Sequence, residues 1–136
     1  MTGRFELGWE EWLALPELGL PAIKAKVDTG AKTSALHAHD IQLFEGDDGA
    51  AMVRFVIQPS PDRPRLKRIC EAKIVDTREV TSSNGQVEAR PVIATDMIIG
   101  TVRKRIEITL TNRESMSYRM LLGRSAIGDN THIAPT

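Results

Sequence analysis

Apolar and charged residues alternate along much of this sequence, and a period of two is what most limits the folds open to it. In Ala22 to Val27 the apolar Ile23, Ala25 and Val27 alternate with Lys24 and Lys26, the pattern of a strand with one face buried. Further β-rich segments are Phe5 to Leu15, Ile41 to Phe44, Met52 to Gln58, Leu66 to Thr81, Val87 to Ile99, Thr101 to Thr111 and Tyr118 to Leu122. Turn signals separate them at Asp47-Asp48-Gly49, Ser83-Asn84-Gly85-Gln86 and Gly100, and the Asn-Gly step favours a type I′ hairpin turn. Pro59 to Pro64 reads as a loop, because its prolines supply no ladder donors. Only the run after Gly123 suggests a helix, and a short one. The pattern predicts an all-β fold: a closed or sandwiched, mostly antiparallel barrel with a short C-terminal helical turn.

Length and composition bound the rest. At 136 residues the chain fits one domain, residues 1–136. With 41% hydrophobic and 26% charged residues it lies outside the disordered and collagen-like ranges. Eighteen basic residues balance eighteen acidic ones, so no net field favours nucleic acid or an anionic membrane. The single Cys70 makes no internal disulfide and reads as a buried small hydrophobe, which suits a reducing compartment. No apolar leader and no run of about 18 apolar residues is present, and the reading is a cytoplasmic protein.

The residues that point to chemistry are Val27-Asp28-Thr29-Gly30-Ala31. An acid at a strand end, followed by a small hydroxyl and a glycine, makes a tight turn that presents a carboxylate. Gly30 can offer its amide to that carboxylate, and the Thr29 hydroxyl can donate and accept a fixing bond. Taken alone, the three residues are equally an ordinary turn closing a hairpin. Near the C-terminus, Met120-Leu121-Leu122-Gly123-Arg124 is an apolar run ending in glycine.

The order of acid-Thr-Gly-Ala, glycine hairpin and apolar-apolar-Gly-Arg resembles the retropepsin-like aspartic proteases. It resembles most a bacterial branch known as ATP-dependent zinc proteases of the RimK-associated type, linked to ribosomal-protein glutamate ligases. The matching blocks are Gly8-Trp9, Leu15 to Gly19, Ala22 to Ala38, Leu110 to Arg113 and Met120 to Arg124. The resemblance implies that Asp28 is the catalytic carboxylate, Thr29 a support of its loop and Gly30 a backbone donor. It makes the Ser83 to Gln86 hairpin, with Asn84 and Gly85 at its tip, a flap over substrate. Ala31, Lys32, Asn84, Gly85 and Arg124 become substrate-binding positions. Only one such acid exists, since Asp76-Thr77-Arg78 lacks the glycine. Aspartic-protease chemistry uses two carboxylates sharing a proton, so the resemblance implies a homodimer with an Asp28 from each copy. Viral retropepsins pair an acid with the arginine after the apolar-Gly strand. Lys32 stands at the acid's position, so it cannot pair with Arg124, and Lys32, Arg124 and Arg90 either favour an acidic substrate or are separately solvated.

The family's label names zinc and ATP. His37 and His39, with Asp40 adjacent, offer two imidazoles on one face, but no third ligand is evident and His132 lies in a tail. Gly30-Ala31-Lys32-Thr33 lacks the spacing of a phosphate-binding loop. The reading therefore assigns no cofactor. Arg63 to Arg68 and Arg103 to Arg105 are basic clusters without interleaved aromatics, read as solvated strand edges rather than a nucleic-acid surface. Trp9 and Trp12 are core or interface anchors, core being the commoner outcome. Ser34, Ser125 and Cys70 lack a neighbouring His-acid pattern in sequence and read as structural.

The functional reading is a homodimeric aspartic peptidase acting on a peptide or glutamate-rich tail, with a functional link to a glutamate ligase. Two alternatives stand beside it: a non-catalytic peptide-binding scaffold of the same fold, and a metal-dependent hydrolase using His37, His39 and Asp40.

Overall fold

The computed structural model describes residues 5–7, 10–59, 63, 65–81, 84–112, 118–127 and 131–133. Expectations that fall on Gly8, Trp9, Ser83 and Arg113 lie outside the described residues. Eleven strands are present: β1 (Phe5–Leu7), β2 (Glu10–Leu15), β3 (Leu20–Asp28), β4 (Ser34–His37), β5 (His39–Glu45), β6 (Ala51–Ile57), β7 (Arg68–Thr81), β8 (Val87–Ile99), β9 (Val102–Thr111), β10 (Met120–Gly123) and β11 (Thr131–Ile133). A 3-10 turn covers Pro16–Leu18, and one helical turn, α1 (Arg124–Ile127), follows Gly123 as expected. No helix among the described residues is long and apolar enough to cross a membrane.

Alternation does set the faces of β3. Ile23, Ala25 and Val27 are buried while Lys24 and Lys26 are exposed. In the large sheet, β2, β3, β10, β4, β9 and β8 follow one another, and Ala14 of β2 pairs with Ile98 of β8 to close the ring. Closure leaves these six strands without a free edge among themselves. β7, β6 and β5 continue outward from β8 as an arm ending on β5. The arm's Val53, Phe55, Ile57 and Cys70 belong to the same apolar cluster as the barrel's Ile23, Leu36, Ile108 and Leu122. Cys70 is buried, its thiol pushed up to about 11 by desolvation, as expected of a small hydrophobe.

Several details go beyond or depart from the sequence reading. The pairings are mostly antiparallel, as expected, but in the large sheet β10 runs parallel to β3 and β4 parallel to β9, and in a separate two-stranded sheet β1 runs parallel to β11. The chain returns from a distance to insert β10 between β3 and β4, and a returning strand has no hairpin to force it antiparallel. β4 was not anticipated because Ser34, Leu36 and His37 are all buried between β10 and β9, which erases alternation. His132, expected in a tail, falls in β11. The Asn84-Gly85 turn is also wider than a two-residue hairpin. The last pair is Thr81 with Val87, leaving residues 82–86 between the strands, and the Gln86 amide donates to Asn84 Oδ1 at 3.2 Å. Gly85 takes the left-handed φ of 84° that such a turn needs.

Candidate active site

Asp28 is the last residue of β3 and lies beside Gly123, the last residue of β10, in the parallel pairing of those strands. The backbone then turns tightly, and the Ala31 amide donates to the Asp28 carbonyl at 3.2 Å. The Gly30 amide donates to Asp28 Oδ1 at 3.1 Å, the bond expected from the sequence. Among the described residues this is the one hydrogen bond recorded to the half-buried carboxylate.

The crossing of β10 braces the loop. The amides of Arg124 and Ser125 donate to the carbonyls of Ala31 and Lys32 at 2.8 and 3.0 Å. The Gly123 amide donates to Ser34 Oγ at 3.0 Å, and Thr109 Oγ1 donates to the Ser34 carbonyl at 3.1 Å. Ser34 therefore joins β4, β9 and β10, a structural role like the one expected of it. The approach is close enough to require glycine: a Cβ on Gly123 would stand 2.6 Å from the Thr33 carbonyl carbon and 2.8 Å from its oxygen.

Arg124 compensates for the missing acid at position 32 through the backbone. Its guanidinium donates to the carbonyls of Gly30 at 3.3 Å and Thr29 at 3.4 Å. Lys32 is exposed, and Arg90 is bonded to Glu88 at 3.2 Å. Asn84 and Gly85 sit at the exposed tip of the β7–β8 hairpin. Arg78, which sequence reasoning passed over, connects that hairpin to the loop: it donates to Thr33 Oγ1 and to Glu107 Oε1 at 2.8 Å. The sequence carries no signal for this contact, because its partners are 45 and 29 residues away.

The zinc and ATP of the family's label do not fit these residues. His37 Nε2 and His39 Nε2 approach to 3.2 Å, with the rings edge to face. Among the described residues, no group of three His, Cys, Asp or Glu is placed to hold a metal, whereas closed zinc sites use four ligands and catalytic ones at least three. In the Gly30 to Thr33 loop the Gly30 and Ala31 amides already bond to Asp28, so they do not cradle a phosphate.

A closed six-stranded barrel, with an acid-Thr-Gly loop braced by a crossing apolar-Gly strand, is the architecture of a retropepsin-like domain. The chain belongs to the RimB-like family, described as retropepsin-like aspartic endopeptidase RimB, which matches residues 6–136. Two bacterial proteins named probable alpha-L-glutamate ligase are similar along nearly all of it. The one from Shewanella pealeana is 47% identical over 133 residues, 98% of this chain and 29% of that protein. The one from Parasynechococcus marenigrum is 42% identical over 135 residues, 99% of this chain and 29% of that protein. The chain thus spans less than a third of the length of these relatives. A crystal structure of a Legionella pneumophila protein of unknown function (DUF785) superposes with a TM-score of 0.79 at 30% identity, covering 98% of this chain and 95% of that one.

Proposed function

We propose that this chain is one protomer of a homodimeric aspartic peptidase in which the two Asp28 carboxylates meet across a two-fold axis. The observation that carries the proposal is the fixed, singly bonded Asp28 carboxylate at the end of β3, in a loop braced by β10. One such group cannot run the reaction. Two carboxylates close together share one proton, because both cannot ionise. The ionised one takes a proton from water as its oxygen attacks the scissile carbonyl carbon. The protonated one gives its proton to the carbonyl oxygen. Collapse of the tetrahedral intermediate breaks the C–N bond as the first carboxyl passes the proton it took from water to the amide nitrogen, and the second takes back a proton from the hydroxyl that becomes the new carbonyl.

In this reading Thr29 and Gly30 support Asp28, and Ala31, Lys32 and Arg124 border the substrate. The β7–β8 hairpin, with Asn84 and Gly85 at its tip, closes over an extended peptide held by main-chain bonds. Lys32 and Arg124 favour acidic residues in that peptide. The relatives named as glutamate ligases support a functional link to such a ligase, and a glutamate-rich tail is the substrate class that fits both observations.

The test compares wild type with Asp28→Asn on a mixture of acidic and neutral peptides, with circular dichroism confirming the fold. Cleavage is expected to fall by about a thousandfold or more in the variant and to survive a chelator. Equal cleavage by both proteins removes Asp28 from the chemistry. A strictly monomeric mass at high protein concentration removes the paired mechanism and leaves the peptide-binding scaffold. Cleavage lost to the chelator points to the histidine pair.

A further inference from the structure

Trp12 and the basic run ending at Arg68 have no part in that reaction, yet they meet in space. Trp12 stands on the outer face of β2, 60% exposed, so the expectation of a core position is overturned. With Pro59 and the half-exposed Leu66 it lines a groove of about 500 Å³ whose walls also include Arg63, Lys67 and Arg68. Arg63, Leu66 and Lys67 therefore border a groove rather than a strand edge. Among the described residues, no carboxylate lines it and none of the three cations has an ion-pair partner. The neighbouring Lys24, 5.9 Å from the centre of the Trp12 ring, is already bonded to Glu10 at 2.7 Å. Gly19 makes room for the Arg68 stem: a Cβ there would stand 3.3 Å from Arg68 Cδ.

We propose that this groove docks an acidic peptide segment that carries an apolar or aromatic side chain. Trp12 and Leu66 receive the apolar group, and Arg63, Lys67 and Arg68 receive the carboxylates. Three cations beside exposed apolar surface are complementary to a chain of that composition, and Trp and Arg are among the residues most enriched where binding energy concentrates. Nucleic acid fits less well, because a lone aromatic gives one stacking platform and the chain's net charge is zero. The groove is distinct from the candidate active site. It touches β3 at Leu20 to Ala22, and Asp28 is six residues further on, about 20 Å along an extended strand.

The probe is a fluorescein-labelled short peptide of alternating glutamate and leucine, followed by anisotropy on the whole chain. Saturable binding is expected, weakening with salt and weakening at least about tenfold in Trp12→Ser and in Lys67→Glu. Lys73→Gln, exposed on β7 and outside both sites, is expected to leave it unchanged, while Lys32→Glu reports any binding at the catalytic loop. Arg68→Gln serves as a further variant should Trp12→Ser fail to fold. The proposal is overturned by absence of saturable binding, by equal binding to all variants, or by a loss confined to Lys32→Glu. Equal binding of a lysine-leucine peptide, or tighter binding of a thymidine oligonucleotide, overturns it as well.

Discussion

The two halves of β8 share a backbone and little else. From Val92 to Ile99 the strand lies between β7, β9 and the closing contact with β2, and its side chains Val92, Ile93, Met97 and Ile99 are buried. From Val87 to Pro91 it pairs only with Thr77–Thr81 of β7, past a register shift between Ile74 and Asp76, and Val87 is 61% exposed. The first half is barrel wall and the second is a two-stranded ribbon, which by itself is marginal in water. The same hydrogen-bonded ladder therefore serves two purposes. Where both neighbours and a core are present it forms part of the closed ring. Where they are absent it yields a two-stranded hairpin, tied by Arg78 to Thr33 and Glu107.

The largest effect that would sharpen this contrast is expected on the barrel side, at Gly123. A methyl group there meets the Thr33 backbone, which cannot give way as a flexible side chain would, so Gly123→Ala should cost about 3 kcal/mol in urea unfolding. Full tolerance of that substitution would mean the brace around Asp28 is looser than its distances imply. Next comes a paired comparison within β8. Ile93→Ala should cost about 2–5 kcal/mol, whereas Val87→Ala should stay within about 0.5 kcal/mol. Amide exchange should follow the same division, slow at Ile93 and fast at Val87, and equal protection of both would erase the distinction.

The smallest effect concerns Asp96, on the barrel half of β8. Its hydrogen bond from Arg103, at 2.9 Å, holds the carboxyl below its ordinary value, with Arg105 adding to the shift. A carboxyl lowered by folding stabilises above its ordinary value, and that contribution disappears as the pH falls through the lowered one. Asp96→Asn should therefore be less stable than wild type at neutral pH, and the two should converge in acid as the lowered carboxyl is protonated. Unfolding curves at neutral and acid pH would show it, and a gap that widens in acid would contradict the assignment.

Much of this molecule was legible in the sequence because its information is local. A period of two marks β3 wherever one face meets the core. The turn glycines Gly85 and Gly100 take the positive φ that their positions demand. Asp28, Thr29 and Gly30 are consecutive, so the amide-to-carboxylate bond could be expected from three residues. β4 was missed for the opposite reason, since the strands it pairs with, β9 and β10, come from more than 60 residues downstream, and its successive residues Leu36 and His37 are both buried. Trp12 was misplaced because alternation tells which residues share a face and not which face receives cover.

What the sequence determined alone is therefore the strand content, the turn at the acid and the approximate ends of most strands, all set by contacts within a few residues. Tertiary structure decided the parallel insertion of β10, the service of Arg124 to two carbonyls in place of an acid, and the meeting of Trp12 with Arg63, Lys67 and Arg68. Each of those joins segments tens of residues apart, and their energies depend on which surfaces the closed ring brings within a few ångströms. Side-chain chemistry lists the available partners, but ring closure selects among them.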